Sequence, residues 1–154
     1  MTELAGLRRA TADDLDAVVA LQRAAYAKNR PVLGVEPMPL LADHSQILLE
    51  CEVWLSESPQ GLDGVLVLEP RKDDVLLWSV ATAPRVQGTG LGNRLLEATE
   101  TRARQLGHRR IRLYTGDRLA SNVAWYMRHG YDQERVESMG DRKVIHLIKI
   151  LDPA

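Results

Sequence analysis

Three glycines at alternate positions are the residues of this sequence best suited to chemistry. Gly88, Gly90 and Gly92 follow an apolar run, 75–83, that is typical of a strand, and they precede a run to about Leu106 that is typical of a helix. Glycine removes side chains from such a turn, so backbone N–H groups at the positive end of the helix can bind an anion. The sequence therefore predicts a site for a phosphate or pyrophosphate group.

Two common phosphate-binding motifs do not fit these glycines. The loop of nucleotide hydrolases ends in Gly-Lys-Ser/Thr, whereas Gly92 is followed by Asn93 and Arg94. The dinucleotide-binding motif needs a different glycine spacing and an acidic residue closing the next strand, which here ends at Thr115. The expected ligand is therefore a phosphorylated cofactor of another kind.

A third pattern, Gln87-x-x-Gly90-x-Gly92, lies after Pro84 and before the helix. It resembles the acetyl-coenzyme A signature of the Gcn5-related N-acetyltransferase (GNAT) family. The segment 122–131 resembles a later motif of the same family, because an asparagine, an alanine, a tyrosine, a glycine and an aromatic residue follow in that order. Two such motifs in the right order indicate this family more strongly than one alone.

The resemblance implies a single N-acetyltransferase domain over residues 1–154 with an α/β fold. The expected fold is that of the acyl-coenzyme A N-acyltransferases, with a central mixed sheet of six or seven strands flanked by about four helices. The element order in the sequence, βααβββαβαβ, also favours a mixed sheet with helices on both faces. Three consecutive strands before the glycine turn are not typical of a purely parallel sheet.

The elements that position the motifs follow from hydrophobic periodicity and from glycine and proline. Strands are expected over 4–10, 53–55, 65–68, 75–83, 111–115 and 144–150, with a turn at 59–61. Helices are expected from Thr11 to about Lys28, over 40–50, from the glycine turn to Leu106, and over 119–129. The proline-rich segment 29–39 is expected to be a loop, and Gly107 and Gly130 are expected to end helices.

By resemblance, the donor is acetyl-coenzyme A. Backbone N–H groups from Gln87 to Asn93 would hold its pyrophosphate, and the backbone of residues 80–82 would pair with its pantetheine arm like an added strand. An N–H in that strand would also stabilise the oxyanion formed during transfer. The predicted cofactor contacts are Val80, Ala81, Thr82, Gln87, Gly88, Thr89, Gly90, Leu91, Gly92, Asn93, Asn122 and Arg128.

Tyr126 is the predicted catalytic residue, since the family motif places a tyrosine there to protonate the leaving thiolate. Asn122 lies four residues earlier and shares the same helix face. Without the motif, Tyr126 would be interpreted as an ordinary aromatic of an amphipathic helix. Asn122 fits a helix cap and a cofactor contact equally well.

The expected acceptor is a primary amine of a small molecule or a peptide, which attacks the thioester directly in a ternary complex. A base is expected, because an alkylamine with a lysine-like pKa is neutral only to about one part in a few thousand at pH 7. Many family members carry a glutamate on the strand before the glycine turn, where this chain has Trp78-Ser79. The base therefore stays open among Glu36, Asp43, His44, Glu52 and Tyr114.

Residues 29–52 are expected to help wall the acceptor site. Three acidic residues in that segment, Glu36, Asp43 and Glu52, would suit a cationic amine. The alternative function is a non-catalytic acyl-coenzyme A sensor. The missing strand glutamate permits a sensor, whereas Tyr126 argues against one.

Composition limits the partners and the location. The net charge of -1 shows no excess of basic residues that would favour binding to nucleic acid. The sequence contains a single cysteine, Cys51, so no intramolecular disulfide can form. We expect no metal, because the histidines lack metal-ligand spacing. No leader and no apolar stretch of membrane-spanning length is found, so the expectation is a cytoplasmic protein without membrane association. Strand ends in such folds often pair between subunits, so a homodimer is compatible with the sequence.

Overall fold

A computed structural model describes residues 4–26, 44–117 and 120–152 of the chain. The strands are β1 Arg8–Arg9, β2 Glu52–Ser58, β3 Gly61–Pro70, β4 Val75–Thr82, β5 Arg110–Gly116, β6 Asp132–Met139 and β7 Arg142–Ile150. The helices are α1 Leu15–Tyr26, α2 His44–Glu50, α3 Leu91–Gln105 and α4 Ala120–Arg128. The strands form one seven-stranded sheet in the order β1-β2-β3-β4-β5-β7-β6.

The sheet is mixed and covered on both faces, which confirms the expected fold class. β4 and β5 are parallel, and the other neighbours are antiparallel. Buried residues of α1 and β2 form one apolar core with alternate residues of β3, and α3 forms a second core on the opposite face with β5 and β7. Gly107 and Gly130 follow α3 and α4 with φ of 79° and 94°, so both glycines end helices as predicted.

β4 and β5 pair only where both strands begin. Their register joins Val75 with Ile111 and Leu76 with Arg112, whereas the other edge of β5 pairs with β7 along its whole length, from Arg110 to Gly116. A β-bulge relative to β3 makes Trp78 an additional residue in β4. The sheet therefore opens along the second half of β4.

Strand β6 is the element that the sequence analysis missed. All eight of its residues are exposed, so neither face of the strand needs apolar side chains. Its sequence therefore lacks the apolar–polar alternation by which a strand is recognised. It forms because its backbone pairs with β7 at the edge of the sheet. The predicted first strand over 4–10 is also too long, since only Arg8 and Arg9 pair with β2.

Several predicted boundaries lie outside the described residues. They are the end of the first helix near Lys28, the loop 29–39, the helix start at 40–43 and the helix start at 119.

A buried ion pair joins β2 to α3. Arg102 donates from Nε and Nη2 to the two carboxylate oxygens of Glu52 at 2.8 and 2.7 Å, and Trp54 Nε1 donates to the same carboxylate at 3.0 Å. Burial alone would raise the pKa of Glu52, but the donors from Arg102 and Trp54 outweigh it and hold this pKa below its usual value. The carboxylate of Glu52 is thus bound by groups of the protein itself.

Glu52→Gln should destabilise the protein by about 3 kcal/mol near neutral pH, because Arg102 would keep a buried charge without a counter-charge. Since the pKa of Glu52 is lowered by folding, its contribution is present above the ordinary carboxyl pKa and is lost as the pH falls through the folded pKa. Urea unfolding should therefore show a gap between wild type and variant that narrows below about pH 4.

Glu57→Gln is the matched control for this prediction, because the pair of Glu57 with Arg8 is exposed, with side chains 48% and 42% accessible. It should destabilise the protein far less. Equal losses in the two variants would contradict a structural role for the buried pair.

Candidate functional site

A cavity of about 520 Å³ opens beside the second half of β4. Its walls come from α1, β4, the glycine turn, the first turn of α3 and α4. The lining residues are Ala25, Val80, Ala81, Thr82, Val86, Gln87, Gly88, Gly90, Gly92, Asn93, Asn122, Trp125 and Tyr126. The two motifs singled out in the sequence therefore meet at one cavity.

Most of the predicted cofactor contacts line this cavity, but three do not. The Thr89 hydroxyl donates to the carbonyl of Val86 at 2.6 Å, which braces the glycine turn from within. The side chain of Leu91 is buried in the core beneath α3. Arg128 is exposed in the last turn of α4.

The glycine turn needs glycine for its backbone conformation. Gly88 and Gly90 have φ of 83° and 90°, a left-handed region that residues with a Cβ atom rarely adopt. A Cβ atom at Gly88 would have no neighbour within 4 Å, and one at Gly90 would meet only Arg94, at 3.9 Å. Conformation, and not crowding by neighbouring atoms, therefore selects glycine at both positions.

The N-terminus of α3 can bind an anion. Gly90 is the N-cap, no side chain caps the helix, and its first turn contains no acidic residue. Helical geometry leaves the first backbone N–H groups of a helix without intrahelical acceptors. Because Gly90, Gly92 and Asn93 line the cavity, these donors and the positive end of the helix dipole lie at its wall.

Arg85 holds the glycine turn against the β2–β3 hairpin. Its guanidinium lies 2.6 Å from the carboxylate of Asp63, and it donates to Oε1 of Gln60 at 3.1 Å and to the carbonyl of Leu62 at 3.0 Å. The N–H of Ala83 also donates to the carbonyl of Asp63, at 2.8 Å. Arg85 therefore positions the turn.

Asn122 and Tyr126 both reach the cavity from one face of α4. The ring centroid of Tyr126 lies 5.0 Å from that of Trp125 and 5.7 Å from that of Tyr131, so aromatic contacts restrict its orientation. A Cβ atom at Gly92 would lie 3.3 Å from the Trp125 ring, so this glycine also permits a close approach of α3 and α4.

The sequence analysis did not include Trp125 among the cofactor contacts, whereas the structure shows it packed against the core, partly buried and lining the cavity. Its position next to Tyr126 in the second motif was the available signal. Ala25 also lines the cavity, and nothing in its local sequence indicates that.

The structure describes only some of the predicted acceptor residues and candidate bases. Glu36, Asp43 and the side chain of His44 lie outside the described residues. Glu52 is held in its ion pair with Arg102 and is not among the lining residues. Burial, with Glu69 nearby, raises the pKa of Tyr114, which disfavours the phenolate form that would accept a proton.

The search for other kinds of site covered the described residues. Within 4–26, 44–117 and 120–152, no three or more His, Cys, Asp and Glu side chains group together in a way that could hold a metal ion. None of the helices in these ranges is both long and apolar enough to cross a membrane.

A model of the acetyltransferase (GNAT) family matches residues 20–131, which include both motifs and every helix of the cavity wall in part or in full. The chain belongs to the GNAT acetyltransferase family. No curated protein gives a significant match to the sequence.

Solved structures of other GNAT proteins share the fold. The ribosomal-protein-S18-alanine N-acetyltransferase from Escherichia coli has a TM-score of 0.75 at 16% identity, over 96% of this chain and 94% of its own. The PaiA N-acetyltransferase from Thermoplasma acidophilum, in complex with coenzyme A, has a TM-score of 0.72 at 17% identity, over 94% and 97%. A GNAT acetyltransferase from Elizabethkingia anophelis with acetyl-coenzyme A bound has a TM-score of 0.68 at 19% identity, over 94% and 97%.

Gly90→Ala and Gly107→Ala should each destabilise the protein by about 1–2 kcal/mol, because both glycines have a left-handed backbone that a Cβ atom strains. Chemical unfolding of the two variants measures this cost. Gly116→Ala is the control, since Gly116 lacks a positive φ and a Cβ atom there would meet nothing within 4 Å. A Gly90→Ala protein as stable as the control would contradict the turn geometry.

Proposed function

We propose that this protein is an acetyl-coenzyme A-dependent N-acetyltransferase that moves an acetyl group to a primary amine of a small molecule or a peptide. One observation carries the proposal: an uncapped helix N-terminus, the open side of β4 and the ring of Tyr126 meet at a single cavity. Membership of the GNAT family supports an acetyl transfer. The family neighbours crystallised with acetyl-coenzyme A or coenzyme A support the donor.

The residues around the cavity fit the parts of acetyl-coenzyme A. The pyrophosphate needs several N–H donors and a positive potential, and the start of α3 with the glycine turn supplies both. The pantetheine arm contains amides. Beyond Leu76, the edge of β4 that faces β5 has no paired strand, so its backbone groups can form hydrogen bonds with these amides as they would with a neighbouring strand. Val80, Ala81 and Thr82 are the residues proposed for this pairing.

The proposed reaction forms a C–N bond to the attacking amine and breaks the C–S bond of the thioester. Alignment of the two reactants in the cavity supplies much of the rate enhancement. An N–H group of β4 stabilises the negative charge that develops on the carbonyl oxygen. The hydroxyl of Tyr126 gives its proton to the departing thiolate, and the proton released by the amine passes to solvent or to a base.

Tyr126→Phe should lower kcat about 100-fold, because the leaving thiolate would lose its proton donor. The affinity for acetyl-coenzyme A should stay unchanged, since the aromatic contacts of the ring are kept. Thiol release in the presence of a panel of primary amines measures kcat, and calorimetry measures the affinity.

Tyr131→Phe is a matched control in the same aromatic cluster. The ring of Tyr131 contacts that of Tyr126, but its hydroxyl is buried and has no hydrogen-bond partner within the part of the chain that the structure describes. This variant should keep kcat within about twofold and be at least as stable as wild type, because a buried unpaired hydroxyl is unfavourable. Equal losses of kcat in both variants would contradict a proton donor at Tyr126.

Thiol release by the wild-type protein also distinguishes a transferase from a sensor. A transferase releases free thiol from acetyl-coenzyme A when a suitable amine is present. A protein that binds acetyl-coenzyme A and releases no thiol with any amine of the panel would be an acyl-coenzyme A sensor, and the proposed function would be wrong.

A further inference from the structure

Five side chains form a continuous row across the sheet, which we term the acid–aromatic row: Glu69, Trp78, Tyr114, His146 and Glu137. Trp78 Nε1 donates to Oε1 of Glu69 at 2.9 Å, and the Trp78 and Tyr114 rings meet edge to face with centroids 6.3 Å apart. The Tyr114 and His146 rings follow at 5.7 Å, and Nε2 of His146 lies 3.0 Å from Oε1 of Glu137. The row thus has an aromatic centre and a carboxylate at each end.

The row spans the opening between β4 and β5. Trp78 is the bulged residue of β4 and lies two positions before Val80, which lines the cavity. Tyr114 lies on β5, on the other side of the opening. Tyr114 and His146 are cross-strand partners, and their neighbours Leu113 and Leu147 belong to the core beneath α3. Since side chains alternate along a strand, the row lies on the sheet face opposite α3.

Among the described residues, neither carboxylate of the row forms an ion pair with a guanidinium or ammonium group, although the guanidinium of Arg71, which is paired with Asp74, lies close enough to act on Glu69. Trp78 bonds Glu69 through a neutral indole N–H, and Glu137 is held by an imidazole. The neighbouring carboxylates of Asp74 and Glu134 are instead both paired with Arg112, at 2.6 and 3.0 Å. The row therefore keeps negative charge beside aromatic rings, a combination that attracts a cation.

We propose that the acid–aromatic row binds the acceptor, and that the acceptor carries a second cationic group besides the amine that is acetylated. The reacting amine must lose its proton before it attacks, so it cannot supply a lasting charge to the row. A second ammonium or guanidinium group keeps its charge and can bind to the row through a carboxylate and the ring faces of Trp78 and Tyr114. This inference rests on the proposed acetyl transfer and specifies the acceptor.

The probes are 1,5-diaminopentane and n-hexylamine, which are of similar length but differ in the second charge. Wild type should acetylate the diamine with a kcat/KM at least tenfold above that of the monoamine. The loss should fall on the carboxylate that pairs with the second cation, so Glu69→Gln or Glu137→Gln should lower kcat/KM for the diamine about fivefold, because a partly exposed charge pair contributes up to about 1 kcal/mol. The variant that shows this loss should lower kcat/KM for n-hexylamine far less than for the diamine, and both variants should bind acetyl-coenzyme A as wild type does.

Glu97→Gln is the matched charge control, because Glu97 is exposed on α3. It should leave both amines unaffected. Amine acetylation without a preference for the diamine, or a preference that survives both row variants, would overturn this inference and leave the proposed function intact. A protein that acetylates no primary amine would overturn the proposed function and this inference together.

Discussion

The separation of β4 from β5 is the constraint on which the site depends. Two parallel strands that stayed paired would close the sheet and satisfy each other's backbone groups. Here pairing stops after Leu76 and Arg112, while the other edge of β5 stays paired with β7 along the whole strand. The bulge at Trp78 increases the local twist of β4 as it leaves β5. A backbone edge and a cavity are thereby exposed in the middle of the sheet, where a bound strand-like arm can be accommodated.

The remaining contacts keep this opening in place. Apolar cores on both faces fix β3 and β4 between α1 and α3. The pair of Glu52 with Arg102 ties α3 to β2, so the helix whose N-terminus lines the cavity is anchored along its length. Arg85 and Asp63 fix the turn that precedes that helix. The proposed anion site is therefore preorganised by contacts that lie outside it, which would lower the ordering cost of binding.

The sequence predicted the elements whose signal is local. Glycines with a required left-handed conformation, a strand before them and an amphipathic helix after them are visible in a short window, and the structure confirms them. The same holds for α4 and its glycine stop. The cavity lining at Asn122 and Tyr126 also follows from a spacing of four on one helix.

What the sequence could not provide depends on contacts between distant residues. Strand β6 has no apolar alternation and is held by its pairing with β7. Glu52 looked available for a substrate, but its partner, Arg102, is 50 residues away in the chain. The bulge at Trp78 is a property of the register between two strands, and the acid–aromatic row needs five residues from five strands. Neither has a signature in a short window.

The most direct test of this account is a calorimetric titration of acetyl-coenzyme A into wild type, Gly90→Ala and Gly107→Ala, with ATP and NAD as competing ligands. Both variants carry the same kind of backbone strain, but only Gly90 lies at the cavity. The account predicts selective binding of acetyl-coenzyme A by wild type, at least tenfold weaker binding by Gly90→Ala and unchanged binding by Gly107→Ala. Absent or unselective binding by wild type, or equal losses in the two variants, would contradict it.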